Sequence, residues 1–249
     1  MKLKSLILIT ISLVSTSVFS QGLSSVDYSL GIGSSYRSLI NTDGTISSDD
    51  IINLRDSLGS SRYNWSVGVN LNKRLTTNVF LRTGLRLSTM SYFVTKDDGL
   101  RWPTQHNGNG GFNPFADPGE PFATNSITLS RAYWFLEVPI MFRVEKQCNK
   151  FSPYIEAGVS AQYYLSTRFI QETDNSKEGN FSNEEEVNAL NFFGNISAGS
   201  NYQLKKSLQL FAQANFSHQI NKLSDTPVSE RLYAYGIEIG VRKMFSAGE

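Results

Sequence analysis

The chain has 249 residues, with 23 Lys and Arg against 22 Asp and Glu, and only 18% of it is charged. A formal net charge of +1 provides no electrostatic footprint for nucleic acid, which is held through clustered cations. The single cysteine, Cys148, excludes an internal disulfide, and one domain is expected at this length.

Residues 1–20 read as an export signal. Lys2 and Lys4 form a charged start, residues 6–14 an apolar run, and Val18-Phe19-Ser20 a small-residue cleavage site before Gln21. The apolar run is too short to span a bilayer, and no Cys near the cleavage site offers a lipid anchor. Without Lys2 and Lys4 the remainder carries 21 basic and 22 acidic residues, a formal −1. It contains no apolar run near ~18 residues, so no membrane-crossing helix is predicted. Residues 21–249 are expected to form one domain, and the hydrophobic period decides its kind.

That period is 2 almost throughout, as in strands, where successive Cβ atoms point to opposite faces. The first strand is predicted at 26–37, with Val26, Tyr28, Leu30 and Ile32 on one face and Asp27, Ser29, Gly31 and Gly33 on the other. Residues 38–61 read as a loop, in which Ser48 caps a short helix through Leu58 with Asp49 and Asp50 in its first turn. A second strand at 63–73 sets Trp65, Val67, Val69 and Leu71 against Asn64, Ser66, Gly68 and Asn70. After a polar turn at 74–78, a third strand at 79–95 sets Val79, Leu81, Thr83, Leu85 and Leu87 against Arg82, Gly84, Arg86 and Ser88. Residues 96–130, rich in Gly, Pro and Asn, are the longest predicted loop.

Residues 131–169 form the clearest hairpin. Trp134, Leu136, Val138, Ile140, Phe142 and Val144 share a face opposite Tyr133, Phe135, Glu137, Pro139, Met141, Arg143 and Glu145. After a turn at 147–150, Ile155, Ala157, Val159, Ala161, Tyr163 and Leu165 lie opposite Tyr154, Glu156, Gly158, Ser160, Gln162, Tyr164, Ser166 and Arg168. An acidic, polar loop is expected at 172–187. Three more strands follow at 188–204, 207–219 and 231–245, with a very short turn at Lys205-Lys206. Their apolar faces carry Leu190, Phe192, Ile196, Ala198 and Tyr202, then Leu208, Leu210, Ala212, Ala214 and Phe216, then Tyr233, Tyr235, Ile237, Ile239, Val241 and Phe245.

The expected fold is therefore all-β: an eight-stranded antiparallel transmembrane β-barrel with apolar residues toward lipid and polar residues toward the lumen. Long and short connections alternate, as in barrels with long extracellular loops and short periplasmic turns. Closure satisfies strand edges that lipid could not. An Arg on the lipid face near mid-membrane costs about 2–4 kcal/mol, and the strand arginines fall on the other face. Phe245 resembles a terminal assembly aromatic, although four residues follow it. Trp65, Tyr92, Trp134, Phe142, Phe169 and Tyr233 are expected in interfacial girdles.

The hairpin also carries a family resemblance. Trp134-Phe135-Leu136-Glu137-Val138-Pro139-Ile140, then Ser152-Pro153-Tyr154-Ile155-Glu156-Ala157-Gly158-Val159-Ser160, resembles the PorT-like outer-membrane β-barrel proteins of Bacteroidota. The resemblance implies an integral outer-membrane protein. It implies no single activity, although the family's namesake takes part in protein export across the outer membrane.

Candidate functional residues are the charges assigned to the lumen: Asp27, Arg82, Arg86, Glu137, Arg143, Glu156, Arg168, Glu238 and Arg242. An eight-stranded barrel is just wide enough for side chains to fill, so these are expected to pair as a structural plug. Glu137→Ala is expected to destabilise the barrel by stranding an arginine. The alternatives are a narrow passive, porin-like channel or a rim enzyme. For the enzyme, His218 lies beside Ser217, but alternation sends neighbours to opposite faces. His106 lies in the longest loop, and Asp97, Asp98, Asp117 and Glu120 match no calcium loop. The function expected is non-catalytic, structural or interaction-based. No catalytic residue, cofactor or metal is assigned. The expected partners are outer-membrane lipid and an extracellular or periplasmic protein, with no nucleic acid.

Overall fold

The computed structural model describes residues 23–41, 59–96, 127–173, 176–182, 187–226 and 228–245. The expected export signal, the short helix at 48–58 and most of the 96–130 loop lie outside the described residues.

Nine strands occur among these residues: β1 (Leu23–Asn41), β2 (Gly59–Arg74), β3 (Val79–Lys96), β4 (Ile127–Glu145), β5 (Phe151–Thr173), β6 (Ser176–Ser182), β7 (Leu190–Lys205), β8 (Leu208–Gln219) and β9 (Val228–Met244). All pair antiparallel, and eight of them close a ring in the order β1-β2-β3-β4-β5-β7-β8-β9. The seam joins β9 back to β1 from Ser25↔Met244 to Asn41↔Val228. Every ring strand thus has two neighbours over most of its length, so its backbone groups are satisfied without water.

The alternation in the sequence is the alternation of the wall. On β4, Glu137, Pro139, Met141 and Arg143 are buried, while Ile140, Phe142 and Val144 are exposed. Tyr28, Leu30, Ile32, Val69, Leu85, Ile155, Val159, Ile237 and Ile239 complete an apolar outer belt around the ring. A soluble protein does not leave a contiguous apolar surface of this size to water. Aromatic rings mark both margins of the belt. Trp65 packs edge-on to Trp134 at 5.3 Å and Tyr36 stacks on Tyr233 at 5.3 Å at one end, and Phe151 lies 4.9 Å from Tyr202 at the other.

Two features differ from the sequence expectation. The segment expected as a loop at 172–187 continues β5 to Thr173 and returns as β6, which pairs only with the end of β5. Polar residues hid this hairpin, because it rises beyond the belt and has no lipid-facing side to make apolar. Second, β5 carries a bulge. Trp134 pairs with Ser166 and its neighbour Phe135 pairs with Tyr164, leaving Leu165 as an extra residue. A bulge re-aims the chain that follows it. Thr167, not Arg168, is buried after it, and the Tyr164 and Thr167 hydroxyls hydrogen bond at 2.8 Å.

Short turns close one end of the barrel. The Leu75 and Thr76 N–H groups donate to Val79 O, and Lys146 N–H donates to Pro153 O. At the opposite end Val187 and Ser224 form an antiparallel bridge that continues the β7–β8 pairing beyond Phe193↔Gln219.

Candidate functional site: a lumen closed in two layers

The layer nearer the short turns is ionic. Arg242 on β9 faces Asp27 on β1 in register and grips its carboxylate through two N–H groups, Nε at 2.7 Å and Nη2 at 3.0 Å. Arg143 on β4 pairs with Glu156 on β5, its direct cross-strand neighbour, through Nε and Nη2. Arg82 on β3 crosses the lumen between these pairs. Its Nη1 donates to Glu156 Oε2 at 3.0 Å and its Nη2 to Glu238 Oε1 at 2.9 Å, with Asp27 Oδ2 3.8 Å from Nε. Arg86 joins Glu238 at 2.9 Å and lies 4.0 Å from Glu137. Nearly all of these side chains are out of contact with solvent.

A charge in such a place is tolerable only when paired and hydrogen bonded. Planar guanidinium groups suit the task, since each can bind two carboxylates at once. Aromatic faces fill what remains: Arg143 lies 4.0 Å from the Tyr154 ring, and Arg82 and Arg242 flank Phe211 at 5.8 and 5.9 Å. Phe211 lies against Gly240, where any Cβ would collide with its ring. That glycine is the price of an aromatic in so narrow a lumen.

The other layer is apolar. Phe135 and Phe193, both fully buried, meet at 6.2 Å, and Tyr164 and Tyr133 flank Phe135 at 6.3 and 6.4 Å. Met90, Tyr92 and Leu232 join them from the wall, and Val187 and Leu223 from the connections above. Over this layer sits a second polar knot. Glu230 accepts from Tyr92 Oη at 2.7 Å, Tyr133 Oη at 3.1 Å and Arg37 Nη1 at 2.9 Å, which ties β9, β3, β4 and β1 together. Between the layers lies a cavity of about 70 Å³ lined by Arg86, Glu137, Ser88, Met90 and Gln162 among others. It has room for a few waters and not for a ligand of drug size.

Residues 19–225 match the family model described as "Outer membrane protein beta-barrel domain". The chain belongs to that family. This outer-membrane barrel is similar in structure to Neisserial surface protein A, at 12% identity and TM-score 0.39 over 88% of this chain and 97% of that one. It is also similar to OprG from Pseudomonas aeruginosa, at 11% identity and TM-score 0.40 over 91% of this chain and 99% of that one. A third similarity is to the outer membrane protease OmpT from Escherichia coli, at 8% identity and TM-score 0.44 over 91% and 98%. No curated protein sequence matches the chain.

Of the charges assigned to the lumen of this outer-membrane barrel, Asp27, Arg82, Arg86, Glu137, Arg143, Glu156, Glu238 and Arg242 come together in the ionic layer. Arg168 does not, and that expectation is corrected. The Leu165 bulge turns it outward, where it is exposed and its guanidinium lies 5.5 Å over the Phe181 ring of β6. Tyr92 is corrected in the other direction: expected in a girdle, it is buried in the apolar layer. Its parity with Arg82 and Arg86 already pointed inward. Glu145, which receives Arg242 Nη1 at 3.4 Å, sits on the same face as Glu137 and belongs with the set. Glu230 had no such signal, because it precedes the predicted start of its strand. His218 is exposed, packs near Tyr233 at 6.4 Å, and points away from the lumen side of Ser217. His106 and the acids Asp97, Asp98, Asp117 and Glu120 lie outside the described residues.

Proposed function

We propose that this protein is a closed outer-membrane barrel that works by docking a protein partner, as an accessory to protein export, without conducting or catalysing. The observation that supports this is the double closure of the lumen, by a paired ionic layer and by an aromatic layer above it. A wall filled twice over leaves its outer surfaces and connections as the parts free to act. The resemblance of residues 134–140 and 152–160 to PorT-like proteins of Bacteroidota supports the export role. Residues 1–20 are read as the cleaved export signal of this barrel.

The outward position of His218 and inward position of Ser217 favour the non-catalytic reading, since a nucleophile needs its base within hydrogen-bond reach. The test is reconstitution into planar bilayers together with crosslinking in cells. Closed bilayers and a stoichiometric crosslinked partner are expected. Discrete conductance steps from the unmodified barrel would overturn the reading in favour of a passive channel.

A further inference from the structure

The periplasmic end of this barrel, taken as the end with the short turns, is electrostatically one-sided. Lys73, Arg74, Lys146, Lys150, Lys205, Lys206 and Lys243 all lie there, and all but half-buried Lys73 are exposed. Among the described residues that end exposes no Asp or Glu, because Asp27 and Glu145 turn into the lumen. Four of the lysines cluster on one arc. Lys150 directly precedes Phe151 on β5, and its carbonyl accepts from Gln203 N–H of β7 at 2.9 Å. Lys205 ends β7, Lys206 lies in the turn to β8, and Lys243 on β9 is opposite Leu208.

Above this arc the outer wall holds an apolar groove of about 730 Å³. Its floor is one register row that crosses five strands, Tyr28–Val241–Leu210–Tyr202–Phe151, and Ala212 deepens the next row. Phe151 and Tyr202 are the part of that floor nearest Lys150, at the level where aromatic rings meet lipid headgroups. An apolar cleft inside the lipid belt, with cations at its aqueous lip, matches an amphiphile that carries acyl chains and a negative head.

We propose that this groove and its lysine lip bind one anionic phospholipid of the periplasmic leaflet. The phosphate sits among Lys150, Lys205, Lys206 and Lys243, and one acyl chain runs up the groove past Ala212. Basic residues at a membrane surface attract anionic headgroups additively, and the effect decays within a Debye length, about 10 Å at 0.1 M salt. The inference rests on the orientation of the barrel and not on its closed lumen, so it survives if the barrel proves to conduct.

The test is native mass spectrometry of the full-length protein in detergent, titrated with phosphatidylglycerol or with phosphatidylcholine of the same chains. Phosphatidylglycerol adducts are expected to exceed phosphatidylcholine adducts by at least about tenfold, and the excess to vanish when the four lysines are replaced by Gln. All four are exposed at strand ends, so that variant keeps its heat-modifiable migration in gels. Ala212→Leu, which fills the groove, is expected to weaken adducts of both lipids. Equal adducts of the two lipids, or a preference that survives the lysine replacements, would overturn the site. Phosphatidylglycerol binding untouched by Ala212→Leu would overturn the groove. An acidic periplasmic protein held by the same lysines, with no lipid preference, would overturn the choice of a lipid.

Discussion

At the scale of single residues, the ionic layer is a lattice with unequal members. Glu137 is the acid that the sequence made prominent, yet its nearest arginine atom is 4.0 Å away, and that arginine keeps Glu238 at 2.9 Å. Glu238 binds two arginines, Arg82 and Arg86, and is fully buried. Removing one partner of a buried pair costs about 3–5 kcal/mol, because the other charge is left without compensation. Glu238→Ala is therefore expected to lower unfolding stability by about that amount. Glu137→Ala should cost about 1 kcal/mol, the scale of one weakened hydrogen bond. Urea unfolding of the refolded barrel in lipid vesicles measures both, and a larger loss for Glu137→Ala would contradict the ranking. Removing Glu137 does not strand Arg86, which keeps Glu238 at 2.9 Å, so the stranded arginine expected from the sequence is replaced by the loss of one long contact.

At the scale of an element, β5 shows how one residue re-aims a strand. Below Leu165 it obeys the alternation of the sequence, with Glu156, Ser160 and Gln162 buried and Ile155, Val159 and Tyr163 exposed. Above Leu165 the phase has slipped by one residue, since a bulge places two residues opposite one. Period-2 reasoning extends a phase without limit and has no means to find such a slip. With Cys148 replaced by Ser, Thr167→Cys should resist a hydrophilic maleimide and Arg168→Cys should react. Deleting Leu165 should leave both reactivities unchanged, because Tyr164 and Ser166 then follow each other in regular alternation with the same partners on β4. If the deletion exchanges them, Leu165 is not the extra residue and the bulge does not set the facing of these residues.

At the scale of the whole molecule, closure is redundant. The ionic layer and the aromatic layer occupy different heights and use different chemistry, one of paired charge and one of packed rings. Phe193→Ala is expected to cost about 3–5 kcal/mol, from lost burial and the cavity left behind. It should not open a conductance, because the charge layer beneath still fills the bore. A thermal unfolding midpoint and a bilayer recording on the same preparation check the two halves of that prediction. A channel opened by Phe193→Ala alone would mean that the ionic layer does not seal.

What the sequence determined by itself was whatever depends on neighbours along the chain. Alternation names each side chain's face, so the eight ring strands, the lipid belt and eight of the nine lumen charges could be read before any pairing was known. Arg82 and Arg86 were legible in this way because an arginine toward lipid is too costly to tolerate. The tertiary structure alone decided which of these residues meet. Arg82 and Glu238 are 156 positions apart and join only because the barrel's stagger brings β3 and β9 to one height across the bore. The same holds for Phe135 with Phe193 and for Glu230 with Tyr92 and Tyr133. Stagger is a property of the closed ring, set by all the strand registers together. No single strand carries it, and so the division of the lumen into an ionic and an aromatic layer became visible only once the ring was closed.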